Sequence, residues 1–285
     1  MKKLISSLIS NLRKYLVLAV SLIKREQTKK KMLENYNQYI FEKSYLLAQN
    51  IRDYVFSEEN YGVKLPTNLT TLLKPQKWSL LHQFIFDTIK EWNQEIIRDC
   101  GGENELNVSY IKTLTTHKIG FSTETNYPKQ EEYDDNRDYS VYLFNLIEGK
   151  CLRHISDEVF YLLFGDREFL KKFNELISDE ISKLLVSNYP KILERDGVLK
   201  RPNSWQTWVK NAIRSRDKEE CVFCGKDLTA TKKSTNLPEI DHIVSINESG
   251  CNDITNLQYS CKDCNLEKSD TTKTNNLYIP YYKLE

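Results

Sequence analysis

Two Cys-x-x-Cys steps forty residues apart, Cys221/Cys224 and Cys261/Cys264, constrain this chain more than any other feature. Four thiolates in two such pairs suit one tetrahedral Zn²⁺, which accepts four sulfurs without redox chemistry. A site closed by four cysteines keeps no coordination position for a substrate, so this metal is expected to staple the fold and not to catalyse. Two disulfides would need an oxidising compartment. Against them stand an odd count of seven cysteines, with Cys100, Cys151 and Cys251 scattered, and the lack of a small-residue cleavage site after the apolar N-terminal stretch. The expected location is therefore cytoplasmic.

Chemistry has to come from other groups, and the stretch between the pairs supplies them. The run EIDHIVSI, Glu239 to Ile246, puts a carboxylate beside an imidazole in apolar, strand-like surroundings. Asp241 is a hard oxygen ligand suited to Mg²⁺ or a similar cation, and His242 can take a proton from water near neutral pH. Neighbours on a strand point to opposite faces, so these two share a task only if the backbone is distorted or both flank one substrate phosphate. Asn256 carries an amide that can hold a loop or an imidazole. Asn265 and Lys268, three apart, share a helical face and offer an oxygen and a cation.

The combination CVFC, IDHIV, DITNLQYSC and CKDCNLEK, within residues 203 to 275, resembles the zinc-bearing branch of the HNH endonuclease family with its ββα-metal fold. The resemblance implies that His242 is the general base, that Asp241 and Asn265 hold the single catalytic divalent ion, that Asn256 positions the base and its loop, and that Lys268 meets a phosphate. Ser245 stands where many members carry Pro, and Gly250-Cys251 where many carry a Gly pair.

The remainder reads as a mainly helical partner with a few strands, giving an α+β chain of 285 residues: a domain over 1–198 and an HNH domain over 199–285. The boundary is placed at ERDGVLKRP, 194–202, where Gly, Pro and charge occur without apolar period. Residues 4–23 carry an apolar helical stripe, but Arg13 and Lys14 at its centre disfavour a membrane span. The basic run 24–31 and the acidic segment 131–138 read as solvated faces. Helices are expected over 33–55, 78–96, 157–185 and 203–218, and strands over 107–121 and 139–147, where Val, Ile, Thr and Tyr are dense. His82, His117 and His154 stand alone in the sequence and read as structural.

A net charge of +1 gives the molecule no overall field for a polyanion, so nucleic acid must meet a local patch. Lys210, Arg214 and Arg216, outward on the helix that feeds the first Cys pair, are the candidate contacts. The expected function is metal-dependent hydrolysis of phosphodiester bonds in nucleic acid, double-stranded DNA for preference, with structural Zn²⁺ and catalytic Mg²⁺. Attachment of such a domain to an unfamiliar partner domain resembles restriction or phage-defence effectors, by analogy only. The first domain is open to recognition, regulation, a protein partner or homo-oligomerisation, and the alternative for the whole is a zinc-stapled binding or adaptor protein without catalysis.

Overall fold

The computed structural model describes residues 43–57, 62–128, 137–229 and 237–275. Contacts divide the chain into residues 1–42 and residues 43–285. The stripe expected at 4–23 and the basic run 24–31 therefore lie outside the described residues, as do residues 131–136 of the acidic segment.

Among the described residues six α-helices come first: α1 (Ser44–Phe56), α2 (Leu80–Cys100), α3 (Asn104–Thr116), α4 (Asp138–Lys150), α5 (Leu152–Phe164) and α6 (Arg167–Ile181). The start of α2 is written in the sequence, because Ser79 accepts from His82 N at 3.3 Å and donates its own N–H to His82 Nδ1 at 3.1 Å, a reciprocal cap. Asp166 caps α6 by accepting from Glu168 N and Phe169 N. Here α1 packs on α5 and α6, α2 on α4 and α5, and α3 on α4. The fully buried Ile51, Leu81, Ile85, Leu143, Leu152, Phe169 and Phe173 form the centre of their common core.

The strands expected over 107–121 and 139–147 are helices α3 and α4. Their β-branched and aromatic residues suit a pleated surface, but Asn107, Tyr110 and Leu114, and Tyr139, Leu143, Phe144 and Ile147, recur at three- and four-residue steps. That spacing puts them on one buried stripe, and packing overrides intrinsic β propensity.

The segment 194–202 is also more ordered than its composition implies. Strand β1 (Leu193–Arg195) pairs antiparallel with β2 (Val198–Leu199), and Gly197 turns between them at φ 66°. Leu193, Val198 and Leu199 are buried, and β2 packs on the turn Ile246–Glu248.

Helix α7 (Thr207–Arg216) then leads to a two-stranded antiparallel sheet, β3 (Pro238–His242) against β4 (Leu257–Cys261), followed by α8 (Lys262–Lys268). The ladder pairs Glu239 with Ser260, Asp241 with Gln258 and His242 with Leu257. Val209, Ile213, Leu257 and Tyr259 form a smaller core between α7 and β4. Ile243 and Cys251, on the connection from β3 to β4, are buried in the larger helical core. The fold is thus mixed and mainly helical, and no described helix is long and apolar enough to cross a membrane.

Candidate metal and catalytic centre

The first Cys pair lies on a tight turn closed by Gly225 N to Cys221 O at 2.8 Å and Cys221 N to Lys226 O at 2.9 Å, with Gly225 at φ 68°. A side chain disfavours that backbone, so glycine there lets the loop curl until both sulfurs face one point. Cys261 closes β4 and Cys264 sits in the first turn of α8. The four Sγ atoms lie within 4.8 Å of one another, with Cys224 and Cys261 at 4.0 Å. Bonds of about 2.3 Å from a tetrahedral zinc place sulfurs about 3.8 Å apart, so the set fits Zn²⁺ with little movement.

On the sheet, Asp241 shares a face with Gln258, which donates to its Oδ2 at 2.8 Å, and with Lys268, whose Nζ lies 3.2 Å from the same oxygen. Burial pushes the Asp241 carboxyl above the usual carboxylate range, while Lys268 and Gln258 oppose that shift. Glu239, two residues earlier on the same face, accepts from Asn265 Nδ2 at 2.6 Å. That bond engages the donor end of the Asn265 amide and leaves its oxygen free of that partner.

His242 lies on the other face of β3 and is buried, with the Trp205 ring 5.4 Å away. Its Nε2 is 3.0 Å from Asn252 Oδ1, the one hydrogen bond of the ring to a described residue. A cleft of about 350 Å³ is lined by Arg201, Trp205, the consecutive Ile240, Asp241 and His242, and Asn265. Three consecutive residues of β3 thus line one cleft, together with Asn265 of α8. Asp241 and His242 line the same cleft although the β3–β4 ladder is regular through both.

Burial lowers the His242 pKa to about 4, with Arg201 and Lys268 adding to the shift and Asn252 opposing it. The imidazole is therefore neutral at physiological pH. The unfolded chain binds a proton at His242 below about pH 6.5, the folded one only near 4, so this stability contribution is full above about 6.5 and is lost as pH falls. We expect wild type to lose more stability than His242→Gln between pH 6.5 and 4, read as urea midpoints. Parallel curves for the two proteins contradict this assignment.

Asn256 braces the connection from β3. Its Oδ1 accepts from Val244 N at 2.8 Å, and its Nδ2 donates to Val244 O and Cys251 O, both at 2.9 Å. It holds the loop, while Asn252 is the residue that touches the imidazole.

The matched sequence decides the family of this region. Residues 221–271 match the HNH endonuclease family model. No curated protein and no solved structure matches the chain.

Within the HNH region the two departures from the family pattern have local explanations. Ser245 holds the turn by bonds where Pro would hold it by its ring: its Oγ accepts from Asn247 N, and its carbonyl from Glu248 N and Gly250 N. Gly250 is required, because a Cβ there would stand 2.0 Å from Val244 O. Cys251 points instead into the helical core, its Sγ 3.4 Å from Asn174 Oδ1 on α6.

Arg214 pairs with Glu219 at 2.8 Å, and Arg216 bonds Asp217 and Leu257 O with its side chain 4% exposed. This engagement inside the protein runs against a phosphate-contact role for Arg216, whereas Lys210 is exposed on α7. Sequence reading missed Arg201, Trp205, Asn252, Glu239 and Gln258. Of these only Glu239 and Gln258 carried a signal, the period of two that sets each on the face of Asp241.

His82, isolated in sequence, lies between Ser79 Oγ at 2.7 Å and Asp157 Oδ1 at 3.1 Å. The order mimics a nucleophilic triad. Ser79 is 1% exposed and spends its hydroxyl on the α2 cap, so the set is structural. His117 and His154 lie edge to face at 5.8 Å, with His154 Nε2 3.4 Å from Glu158.

Proposed function

We propose that residues 199–285 act as a metal-dependent HNH endonuclease hydrolysing phosphodiester bonds in double-stranded DNA. The observation that carries this reading is a neutral His242, its Nδ1 bonded to none of the described residues, in the same cleft as Asp241 and Asn265. The order β3, β4, α8 supports a ββα-metal arrangement, and the Cys₄ cluster supports a Zn²⁺ that staples it.

In this reading His242 Nδ1 takes the proton of the attacking water as the new P–O bond forms and the bond to the departing 3′ oxygen breaks. The chain's hard oxygen donors, Asp241 and Asn265, fit Mg²⁺ or a similar cation. Such an ion, when bound, stabilises negative charge on the phosphate and the leaving oxygen. Lys268 and Gln258 keep the Asp241 carboxylate ionised and oriented, Glu239 turns the Asn265 oxygen outward, and Asn256 keeps the strand-to-turn path fixed. Arg201, exposed at the cleft, and Lys210 are the proposed phosphate contacts. The first part of the chain, residues 1–198, serves recognition, regulation or oligomerisation in a cytoplasmic restriction or phage-defence setting.

The purified chain is expected to cut plasmid DNA with Mg²⁺, Mn²⁺ or Ni²⁺ and to stop in EDTA. Parallel incubations with single-stranded DNA and RNA define the substrate. Tight DNA binding with no cleavage in any of these metals favours the non-catalytic zinc-stapled module instead.

A further inference from the structure

The catalytic base does not stand by itself. Asn252 is fully buried and every polar atom of its side chain is engaged: Oδ1 lies 3.0 Å from His242 Nε2, and Nδ2 donates to Lys200 O at 3.0 Å. Its backbone N donates to Leu72 O at 3.3 Å, in the turn before α2. A carbonyl can only accept, so Lys200 O obliges the amide to present Nδ2 to it and Oδ1 to the imidazole. An amide oxygen also only accepts, so the His242 proton must sit on Nε2 and the lone pair on Nδ1.

The residues around Asn252 are fastened to the helices as well. Asp253 Oδ2 accepts from Leu80 N at the start of α2, at 3.1 Å, and its Oδ1 accepts from Thr255 N. Cys251 Sγ meets Asn174 Oδ1 on α6. These contacts put the turn that orients the base in the grip of the helical part, at three consecutive residues.

From this geometry we infer that Asn252 is the positioning residue for His242, fixing it as the Nε2–H tautomer through the Lys200 carbonyl and tying its orientation to the helical part through Leu72. The inference deepens the nuclease reading and rests on His242 as base. Its primary test does not depend on cleavage.

The chain holds four histidines, so ¹⁵N-histidine spectra of the full-length protein are simple, and His242→Gln identifies the signals of interest. Wild type is expected to show His242 protonated on Nε2. Asn252→Leu, of similar shape without the acceptor, is expected to lose that single tautomer, and Asn252→Asp, which keeps the acceptor, to retain it. In cleavage assays, Asn252→Leu is expected to lower kcat by about 10–100-fold with DNA affinity in EDTA unchanged, and Asn252→Asp to recover most of the loss. A wild-type His242 protonated on Nδ1, or an Asn252→Leu spectrum identical to wild type, overturns the inference. The wild-type spectrum decides even if the Leu variant does not fold. If His242→Ala cuts normally the base assignment fails, whereas a wild-type kcat in Asn252→Leu defeats the positioning role alone.

Discussion

His242→Ala is expected to reduce plasmid cleavage in Mg²⁺ by about 10²–10⁴-fold, the usual contribution of a positioned general base. Loss of a buried ring also leaves a void and an unpaired Asn252 Oδ1, so the melting temperature should fall by a few degrees while circular dichroism stays unchanged. The two effects separate cleanly, because the ladder from Pro238 to His242 is held by backbone bonds that the substitution does not touch. DNA binding in EDTA serves as control. Undiminished cutting by His242→Ala would sink the assignment of the base and, with it, the reading of the cleft.

Cys261→Ser should act on folding and not on chemistry. Cys261 is the last residue of β4 and the residue before α8, so its sulfur ties the sheet to the helix that carries Asn265 and Lys268. Structural zinc in small domains contributes on the order of 10–16 kcal/mol of apparent binding energy, and loss of one ligand forfeits much of it. We expect one zinc per chain in wild type by elemental analysis and substoichiometric zinc in the variant. The variant should also melt at lower temperature, with chelators reproducing the change in wild type. Full zinc occupancy with an unaltered melting curve contradicts the staple. Adding Mg²⁺ to EDTA-treated protein should restore cleavage only where the zinc has survived, which distinguishes the two ions.

What could be read from the sequence follows from the range of the interactions involved. The Cys₄ set is legible because ligand spacing is local within each pair. The helices α1, α2, α6 and α7 are legible from apolar period. Helices α3 and α4 are not legible in this way, since residue types that favour strands occupy positions at helical spacing and only the packing of Leu114 and Leu143 decides between them. Asn252 had no signal at all. Its importance comes from meeting Leu72 and Lys200, partners 180 and 52 residues away whose backbone oxygens no residue-type pattern reveals. Arg216 misled for the converse reason, because a cation on a helix looks outward until Asp217 and the Leu257 carbonyl are seen to hold it.

The contact between Asp253 and the first turn of α2 bears on how such a protein can arise and diverge. A nuclease module that terminates its own backbone bonds can be moved by recombination between unrelated hosts. Here a buried carboxylate from the loop of the HNH region accepts from the half-buried Leu80 amide at the start of the neighbouring helix, a bond that each part loses when grafted elsewhere. Inheritance should therefore keep the two parts together, and exchange of either one should require compensating changes near residues 72–80 and 251–255.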